Sequence, residues 1–392
     1  MGERTRRAGV SGSEVVQAGE HRLARVESLR GLAALAVAVG HAWGLGHGYK
    51  LDQTTGSYFG RIVFGGGFGV FLFFALSGYL LFWPFARRWF GGADPIDLRR
   101  YALNRAVRIL PLYYVAVILL LLIQEHGGSG EQWWRFMLFA ENFSVRTVGT
   151  VDGVLWSLVV EVQFYVLLPL LALVTARIAR GSRGWAAAFL SLLGAISLAA
   201  WIAKVQAPTH PSPLWRYNLP ATFFYFVPGM LLALVRLRLE ERPPRWLKGT
   251  LGASGSWLAA SAVLWLVVFY QYDLAPLIVV ASFLAIGACV LPLRESAARR
   301  MLDWRPLAAV GVASYSLYIW HTRVQEHIVR LDGFPHGTLA IMLITLPLSI
   351  AVALLSYRVV EAPFLRLRRR WSASSAPIDR DSGSAAPGVQ PA

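Results

Sequence analysis

An arginine and a histidine interrupt the first long apolar segment of the sequence, SLRGLAALAVAVGHAW. A helix rises about 1.5 Å per residue with about 3.6 residues per turn, so Arg30 and His41 lie about 16 Å apart on nearly the same face. Ionisable side chains are costly in hydrocarbon and usually face a bundle interior or water. Arg30 therefore either anchors the helix at the interface or lines a polar groove. His41 either makes a structural hydrogen bond or transfers protons.

A carboxylate lies inside another apolar segment, LWSLVVEVQFYVLLPLL. Ser157, Glu161 and Tyr165 follow at intervals of four residues and therefore share one helical face. Glu161 either pairs with an arginine for packing alone or acts beside a catalytic imidazole. Because Glu161 and His41 are predicted to lie in the same half of the membrane, the sequence allows a direct contact between them.

Polar residues also form a stripe on the segment ASYSLYIWH. Ser314, Tyr318 and His321 occupy positions i, i+4 and i+7 of an otherwise apolar helix. His321 is a second candidate for proton transfer. The alternative is that His321 lies at the wet interface, since Arg323 and Glu326 follow it closely.

Two further pairs could contact a ligand. Arg105 and Arg108, in NRAVRILPLYY, share a helical face, and their planar guanidinium groups suit phosphate oxygens. The alternative is that both arginines only anchor the helix at the membrane surface. In GVFLFFALSGYLL, the small residues Ser77 and Gly78 permit either close helix packing or the passage of a slender ligand.

The elements that must position these residues are membrane helices. The 392 residues are 56% hydrophobic and 15% charged, with a mean hydropathy of +0.49. Since about 20 apolar residues cross the hydrocarbon core, the sequence predicts an all-α integral membrane bundle of about ten transmembrane helices. The predicted spans are 27–46, 62–84, 105–124, 154–175, 185–204, 217–235, 251–271, 274–292, 307–328 and 338–359.

The net charge of +16 is interpreted as membrane topology. With the N-terminus inside, all but eight of the 38 Lys and Arg residues fall in cytoplasmic segments or adjoining helix ends, as the positive-inside rule requires. Both termini are therefore predicted to be cytoplasmic, and the lipid bilayer rather than nucleic acid is the predicted partner. The eight on the outer side are Lys50, Arg61, Arg135, Arg146, Lys204, Arg216, Arg323 and Arg330.

The sequence divides into three predicted segments. Residues 1–25 form a cytoplasmic segment without a cleaved signal peptide, 26–366 the transmembrane domain, and 367–392 a disordered cytoplasmic tail. The single cysteine, Cys289, lies in an apolar run and is interpreted as packing. The sequence has no metal-ligand cluster, phosphate-binding glycine loop or nucleophile elbow, so neither a metal site nor a tightly bound cofactor is predicted.

Five of these segments, in this order, resemble blocks of the membrane acyltransferase 3 family, which includes bacterial O-acyltransferases of surface polysaccharides and macrolides. The resemblance covers residues 24–366. Within it, VEAPF is similar to a family segment that often reads E-R-P-F, but Ala362 replaces the arginine and no function is assigned to it. The five segments are SLRGLAALAVAVGHAW with its R-x10-H spacing, GVFLFFALSGYLL, NRAVRILPLYY, LWSLVVEVQFY and ASYSLYIWH.

The resemblance implies an acyl-CoA-dependent O-acyltransferase of the bacterial cytoplasmic membrane, with acetyl as the expected group. His41 would be its catalytic histidine, acting as general base or as a transient acyl carrier. Arg30, Arg105 and Arg108 would hold the phosphate-bearing end of acyl-CoA, which is a co-substrate and not a resident cofactor.

Glu161 and His321 match polar positions of the family blocks and are predicted to be further catalytic residues, Glu161 by orienting His41. The predicted acceptor is a hydroxyl of a carbohydrate or cell-envelope glycan, or alternatively of a macrolide-type small molecule. Some family members append an extracytoplasmic esterase-like domain, so a second transfer step here would need a separate partner protein. A transporter or flippase and a catalytically silent scaffold are the alternatives without enzymatic activity.

Overall fold

A computed structural model describes residues 12–50, 54–123, 127–206, 213–335 and 337–374. Over these ranges the chain is helical, and the one β-bridge, between Ala253 and Arg294, does not extend into a strand. The α-helices are α1 (Gly12–Gly46), α2 (Tyr58–Gly65), α3 (Gly69–Phe90), α4 (Leu98–Ile123), α5 (Gly130–Met137), α6 (Leu155–Ala179), α7 (Arg183–Trp201), α8 (Pro213–Arg216), α9 (Leu219–Thr222), α10 (Val227–Glu241), α11 (Ser254–Tyr270), α12 (Ile278–Val290), α13 (Ala297–Met301), α14 (Arg305–Val312), α15 (Ser314–Val329), α16 (Thr338–Ser356) and α17 (Ala362–Ser374).

Shorter helical segments connect or extend these helices. The 3₁₀ segments are Gly66–Phe68, Glu141–Phe143, Phe223–Tyr225, Arg245–Lys248, Thr250–Gly252 and Tyr272–Leu277. The π-helical segments are Ile202–Gln206 and Tyr357–Glu361. π-helical turns are often found at functional sites.

Seven helical stretches of the described chain are long and apolar enough to cross a membrane. Each coincides with one of the predicted spans, which confirms a multi-pass membrane protein built from helices. The stretches are Tyr58–Phe90, Leu98–Ile123, Leu155–Ala179, Arg183–Lys204, Leu219–Glu241, Tyr272–Val290 and Thr338–Arg368.

The other three predicted spans have different outcomes. Span 27–46 lies within the long helix α1, and span 251–271 corresponds to α11, an apolar helix of only 17 residues. The prediction of one helix over 307–328 is wrong, because the chain turns at Ala313 between α14 and α15. A Cβ added to Gly311 would lie 1.8 Å from the carbonyl oxygen of Glu27, so α14 lies directly on the backbone of α1.

The predicted terminal segments are only partly described. Residues 1–11 and 375–392 lie outside the described ranges, and α1 already begins within the predicted segment 1–25. Helix α17 extends to Ser374, although disorder was predicted from residue 367. The segment LRLRRRW consists mostly of good helix formers, which accounts for its continuation.

Helices α3 and α10 are in close contact through a pair of glycines. A Cβ on Gly78 would lie 2.1 Å from the carbonyl oxygen of Phe226, and one on Gly229 would lie 1.9 Å from that of Ala75. Small residues at such positions let membrane helices approach closely. Of the two interpretations considered for Gly78, the structure therefore supports close packing.

We expect Gly78→Ala to lower the free energy of unfolding by about 1–3 kcal/mol, because the new methyl group overlaps a backbone atom that is held in a helix. Thermal unfolding of the purified protein in detergent measures this change. Gly67→Ala is the matched control, since a Cβ there has no heavy atom within 4 Å. Equal stability of the two variants would contradict the close approach of α3 and α10.

Candidate active site

Two neighbouring cavities follow one another along α1, α3 and α6. The first, here called the arginine cavity, lies toward the end of the bundle where Arg30 is located and contains about 720 Å³ of empty space, its open mouth included. Its lining brings together polar residues from five segments that the sequence singled out. They are Arg30, Ser77, Arg105, Arg108, Ser157, Glu161, Tyr165, Ser314 and Tyr318.

The three arginines of this cavity differ in their partners. Arg30 donates to the hydroxyl of Ser314 at 3.2 Å and lies 3.6 Å from the carboxylate of Glu27. Arg108 lies 3.4 Å from the carboxylate of Glu361. Arg105 has neither a hydrogen bond nor an ion pair with the described residues. The cavity thus brings three guanidinium groups together, and the carboxylate of Glu161 lies in the same cavity.

Glu361 is a member of this site that the sequence reasoning missed. It is the last residue of the π-helical segment Tyr357–Glu361 and also belongs to VEAPF, to which no function was assigned. Its side chain is only 3% exposed. Its carboxylate accepts a hydrogen bond from Ser316 at 2.5 Å besides facing Arg108. The signal was present, because an isolated carboxylate after a long apolar segment requires a partner.

Replacing Glu361 with glutamine is expected to lower the free energy of unfolding by about 2 kcal/mol, since it leaves the largely buried guanidinium of Arg108 without an anion. Glu240→Gln, which breaks a partly exposed ion pair with Arg236, is the control and should change stability by less than about 0.5 kcal/mol. Equal stability of the two variants would argue against a buried Arg108–Glu361 pair.

Glu161 does not contact His41. Its carboxylate accepts a hydrogen bond from Ser77 at 2.7 Å, and the Ser77 hydroxyl also lies 3.2 Å from that of Tyr165. The proposed orientation of the His41 imidazole by Glu161 is therefore not found, because the helix places Glu161 in the arginine cavity. Ser77 lines this cavity while its neighbour Gly78 packs against another helix, so the two small residues have different roles.

His41 instead pairs with His321. The Nδ1 atom of His41 lies 3.1 Å from Nε2 of His321 and 3.0 Å from the carbonyl oxygen of Val37. Nδ1 of His321 lies 3.0 Å from the carbonyl oxygen of Leu317 and 2.9 Å from that of Tyr318. The fully buried His321 therefore lies at the partner position considered for Glu161, not at a wet interface.

These contacts determine which nitrogen of each ring carries hydrogen. Two carbonyl oxygens face Nδ1 of His321, so this atom must be a donor and Nε2 of the neutral ring must be an acceptor. Nδ1 of His41 then donates to His321 Nε2 and to the carbonyl oxygen of Val37. The remaining Nε2 of His41 keeps its lone pair and accepts no hydrogen bond within the described chain, which is the state required of a general base.

A buried ion pair holds the helical turn that carries His321. Asp152, which is fully buried, accepts hydrogen bonds from Arg323 Nε at 2.9 Å and from the Thr322 hydroxyl at 3.0 Å. Both donors follow His321 directly in α15. The carboxylate thus fixes α15 against the segment before α6, and with it the position of the histidine pair.

The second cavity, here called the aromatic cavity, lies toward the end of the bundle where His41 is located. It contains about 1020 Å³ of empty space, its open mouth included. Val70 and Tyr318 line both cavities, and the hydroxyl of Tyr318 lies 2.7 Å from that of Ser157. The two cavities therefore meet at Tyr318. The principal lining residues of the aromatic cavity are His41, Phe68, Phe71, Trp156, Arg216 and Tyr217.

Two buried polar residues between α5 and α6 were also missed. Asn142 donates through Nδ2 to the backbone carbonyls of Trp156, at 3.1 Å, and of Tyr217. Neither carboxyl oxygen of Glu141 has a hydrogen-bond partner in the described part of the chain. Burial, reinforced by the nearby Asp152, raises the pKa of Glu141 well above its ordinary value. Polar residues in a connection are usually solvated, which is why their sequence pattern carried no signal.

The fold and the two cavities define a multi-pass membrane protein with a cluster of arginines in one cavity of its polar interior and a histidine pair beside the other. A profile of the family described as an acyltransferase domain matches residues 23–358, which is most of the chain. The chain therefore belongs to the acyltransferase 3 family, as its sequence motifs indicated.

Individual relatives agree with this assignment. YrhL of Bacillus subtilis is 29% identical over 334 residues, covering 76% of this chain and 50% of the relative. Peptidoglycan O-acetyltransferase OatA of Listeria monocytogenes is 25% identical over 361 residues, covering 86% and 55%. Nodulation protein 10 of Rhizobium leguminosarum is 24% identical over 370 residues, covering 87% and 92%. The chain thus spans about half the length of the first two relatives. No solved structure shows significant similarity to it.

Proposed function

We propose that this protein is a membrane O-acyltransferase that transfers an acyl group, acetyl in the first instance, from acyl-CoA to a hydroxyl of a carbohydrate or cell-envelope glycan. The observation that carries the proposal is the meeting of the two cavities at Tyr318, with three arginines in one and His41 in the other. A donor in one cavity and an acceptor in the other can thereby approach one another.

The arginine cavity is the proposed donor site. Arg30, Arg105 and Arg108 bind phosphate groups of coenzyme A through charge-assisted hydrogen bonds. The pantetheine arm is slender and carries two amide N–H donors. It extends past Ser77 toward Glu161, whose carboxylate is a hydrogen-bond acceptor for these amides.

His41 is the proposed general base. Its Nε2 removes the proton of the acceptor hydroxyl while the hydroxyl oxygen attacks the thioester carbonyl carbon. The C–S bond of the resulting tetrahedral intermediate breaks, an ester is formed, and the thiolate of coenzyme A takes the proton back from His41. His321 and the Val37 carbonyl accept from His41 Nδ1 throughout, so they stabilise the imidazolium and fix its orientation.

Hydroxyl groups at the junction of the cavities are suited to stabilising the intermediate. Ser157 and Tyr318 are within 2.7 Å of one another where the thioester must pass. One of these O–H groups can turn to the developing oxyanion, which is commonly a large contribution to acyl-transfer catalysis. This step gives a role to two buried hydroxyl groups that line the arginine cavity.

The proposal also includes the orientation of the protein in the membrane and the number of its membrane crossings. We place the arginine cavity on the cytoplasmic side of the bacterial cytoplasmic membrane, where acyl-CoA is available, with both termini on that side and about ten crossings. The aromatic cavity then faces outward, and the acyl group crosses the membrane during transfer. The relative OatA is named as a peptidoglycan O-acetyltransferase, and this similarity favours a glycan over a macrolide as the acceptor. A separate extracytoplasmic transferase could receive the group before the glycan.

Transfer of radiolabelled acetyl from acetyl-CoA tests the function. Membranes from cells that express either the wild type or His41→Ala are incubated with the donor, and the lipid, glycan and small-molecule fractions are separated. We expect label in the glycan fraction of the wild type only. Label in the small-molecule fraction alone would contradict the glycan acceptor, and equal labelling by both proteins would contradict the role of His41. No label in any fraction, with both proteins present, would argue against acetyl transfer and favour the transporter or scaffold alternative.

A further inference from the structure

The aromatic cavity has the features of a ligand site of its own. It is lined by His41 at one wall and by aromatic rings from α3, α6 and the connections around them. Arg216, in the short helix α8, is exposed at its edge and makes no hydrogen bond or ion pair with the described residues. The cavity thus combines flat apolar walls, a free cationic donor and a basic nitrogen.

The walls of this cavity are fixed by the structure around them. The rings of Trp156 and Tyr217 lie 5.0 Å apart, and the buried amide of Asn142 binds the backbone carbonyl of each. On the facing side, Phe71 stacks on Tyr225 with ring centroids 3.8 Å apart. Aromatic side chains held in this way form a preformed surface and not a gap that neighbouring side chains would close.

We infer that the aromatic cavity is the acceptor subsite and that it binds one sugar ring, with the C–H face stacked on Trp156 and Tyr217 and a hydroxyl at Nε2 of His41. Arg216 binds an oxygen of the same or the adjacent residue of the glycan. A sugar ring has an apolar face and a polar edge, which matches rings that are combined with a few polar groups. This inference rests on the proposed function, because it assigns the acceptor of that reaction.

The other acceptor types fit the cavity less well. A lipid hydroxyl would have to enter from the bilayer, between helix surfaces that face the membrane. Two lining residues, Gly153 and Arg216, are exposed, and both lie in connections between the long helices. A polar ligand can therefore enter without passing between membrane-facing helix surfaces.

Cysteine labelling at the mouth tests the assignment in the purified full-length chain. A Cβ on Gly153 has no heavy atom within 4 Å, so Gly153→Cys introduces no clash. The natural cysteine, Cys289, is fully buried and gives no competing label. We expect a bulky maleimide on Gly153→Cys to reduce acetyl transfer to the glycan fraction at least tenfold relative to the same variant before labelling. Binding of acetyl-CoA should remain unchanged.

Gly130→Cys is the matched control, since Gly130 also has no heavy atom within 4 Å of an added Cβ and lies outside the cavity. Its labelling should leave transfer unchanged. Unimpaired transfer by labelled Gly153→Cys, or loss of acetyl-CoA binding on labelling, would overturn the assignment of this cavity to the acceptor.

A binding measurement separates failure of the site from failure of the proposed function. N-acetylglucosamine tetrasaccharide should slow labelling of Gly153→Cys severalfold in a saturable manner, without slowing that of Gly130→Cys. The protection should be lost when Trp156→Leu is added. Protection without any acetyl transfer would support the sugar site and reject the reaction. Equal labelling rates with and without the sugar, or protection retained in the Trp156→Leu background, would reject the sugar site.

Discussion

His41→Ala is expected to reduce acyl transfer by about 10²–10⁴-fold, which is the usual contribution of general acid–base catalysis. The variant removes the one imidazole nitrogen that the structure leaves free to accept a proton in the aromatic cavity. Acetyl-CoA binding should be nearly unchanged, because the arginine cavity does not include this residue. Initial rates of radiolabelled transfer and direct binding of acetyl-CoA, measured on the same preparation, test both expectations.

His47→Ala is the matched control for this result. His47 directly follows the end of α1, six residues after His41, and its Nδ1 faces the carbonyl oxygen of Trp43 in the same way that His41 Nδ1 faces that of Val37. It lines neither cavity. We expect transfer by His47→Ala to stay within about twofold of the wild type. A similar loss in both variants would mean that disruption of α1, and not removal of a base, explains the effect.

The second large effect is expected from replacing Arg105 and Arg108 together with glutamine. Two lost charge-assisted hydrogen bonds to phosphate, each contributing about 1.5 kcal/mol, should raise the KM for acetyl-CoA about a hundredfold. The KM for the acceptor should change little, because the aromatic cavity does not include either arginine. Steady-state kinetics with each substrate varied in turn measures the two constants separately.

Arg99 and Arg100 provide a control that tests whether the loss of positive charge alone raises the KM for acetyl-CoA. They are exposed residues at the start of the same helix, α4, and they do not line the arginine cavity. The double variant Arg99→Gln/Arg100→Gln removes the same net charge and should leave the KM for acetyl-CoA within about twofold. If both double variants raised it equally, Arg105 and Arg108 would be topological anchors, as the alternative interpretation of the sequence holds.

The comparison of sequence and structure is most informative for the charged residues within helices. Hydropathy and the four-residue spacing of Ser157, Glu161 and Tyr165 predicted that all three share a face, and all three line the arginine cavity. The same reasoning could not identify the partner of Glu161. It allowed a contact with His41, because both residues were expected at a similar depth in the membrane. In the structure, the carboxylate of Glu161 instead accepts a hydrogen bond from Ser77.

The break between α14 and α15 shows the same limit in the backbone. The segment 307–328 has the composition of one membrane helix, yet the close packing of Gly311 on α1 ends the first helix at Val312. Helix α15 then begins at Ser314, whose hydroxyl accepts a hydrogen bond from Arg30. Further along α15, Tyr318 lines both cavities and His321 contacts His41. The polar stripe was predictable, but its separate partners were not.

The sequence alone determined that this chain crosses a membrane, which faces of its helices are polar, and which arginines and histidines those faces carry. These properties are local, since they follow from hydrophobicity and from the helical repeat. Only the tertiary structure decided which polar faces meet, as in the pairing of His41 with His321, 280 residues later in the chain. The physical reason is that lipid-facing helices have similar apolar surfaces, so their neighbours are selected by close packing of small residues and by satisfaction of buried polar groups.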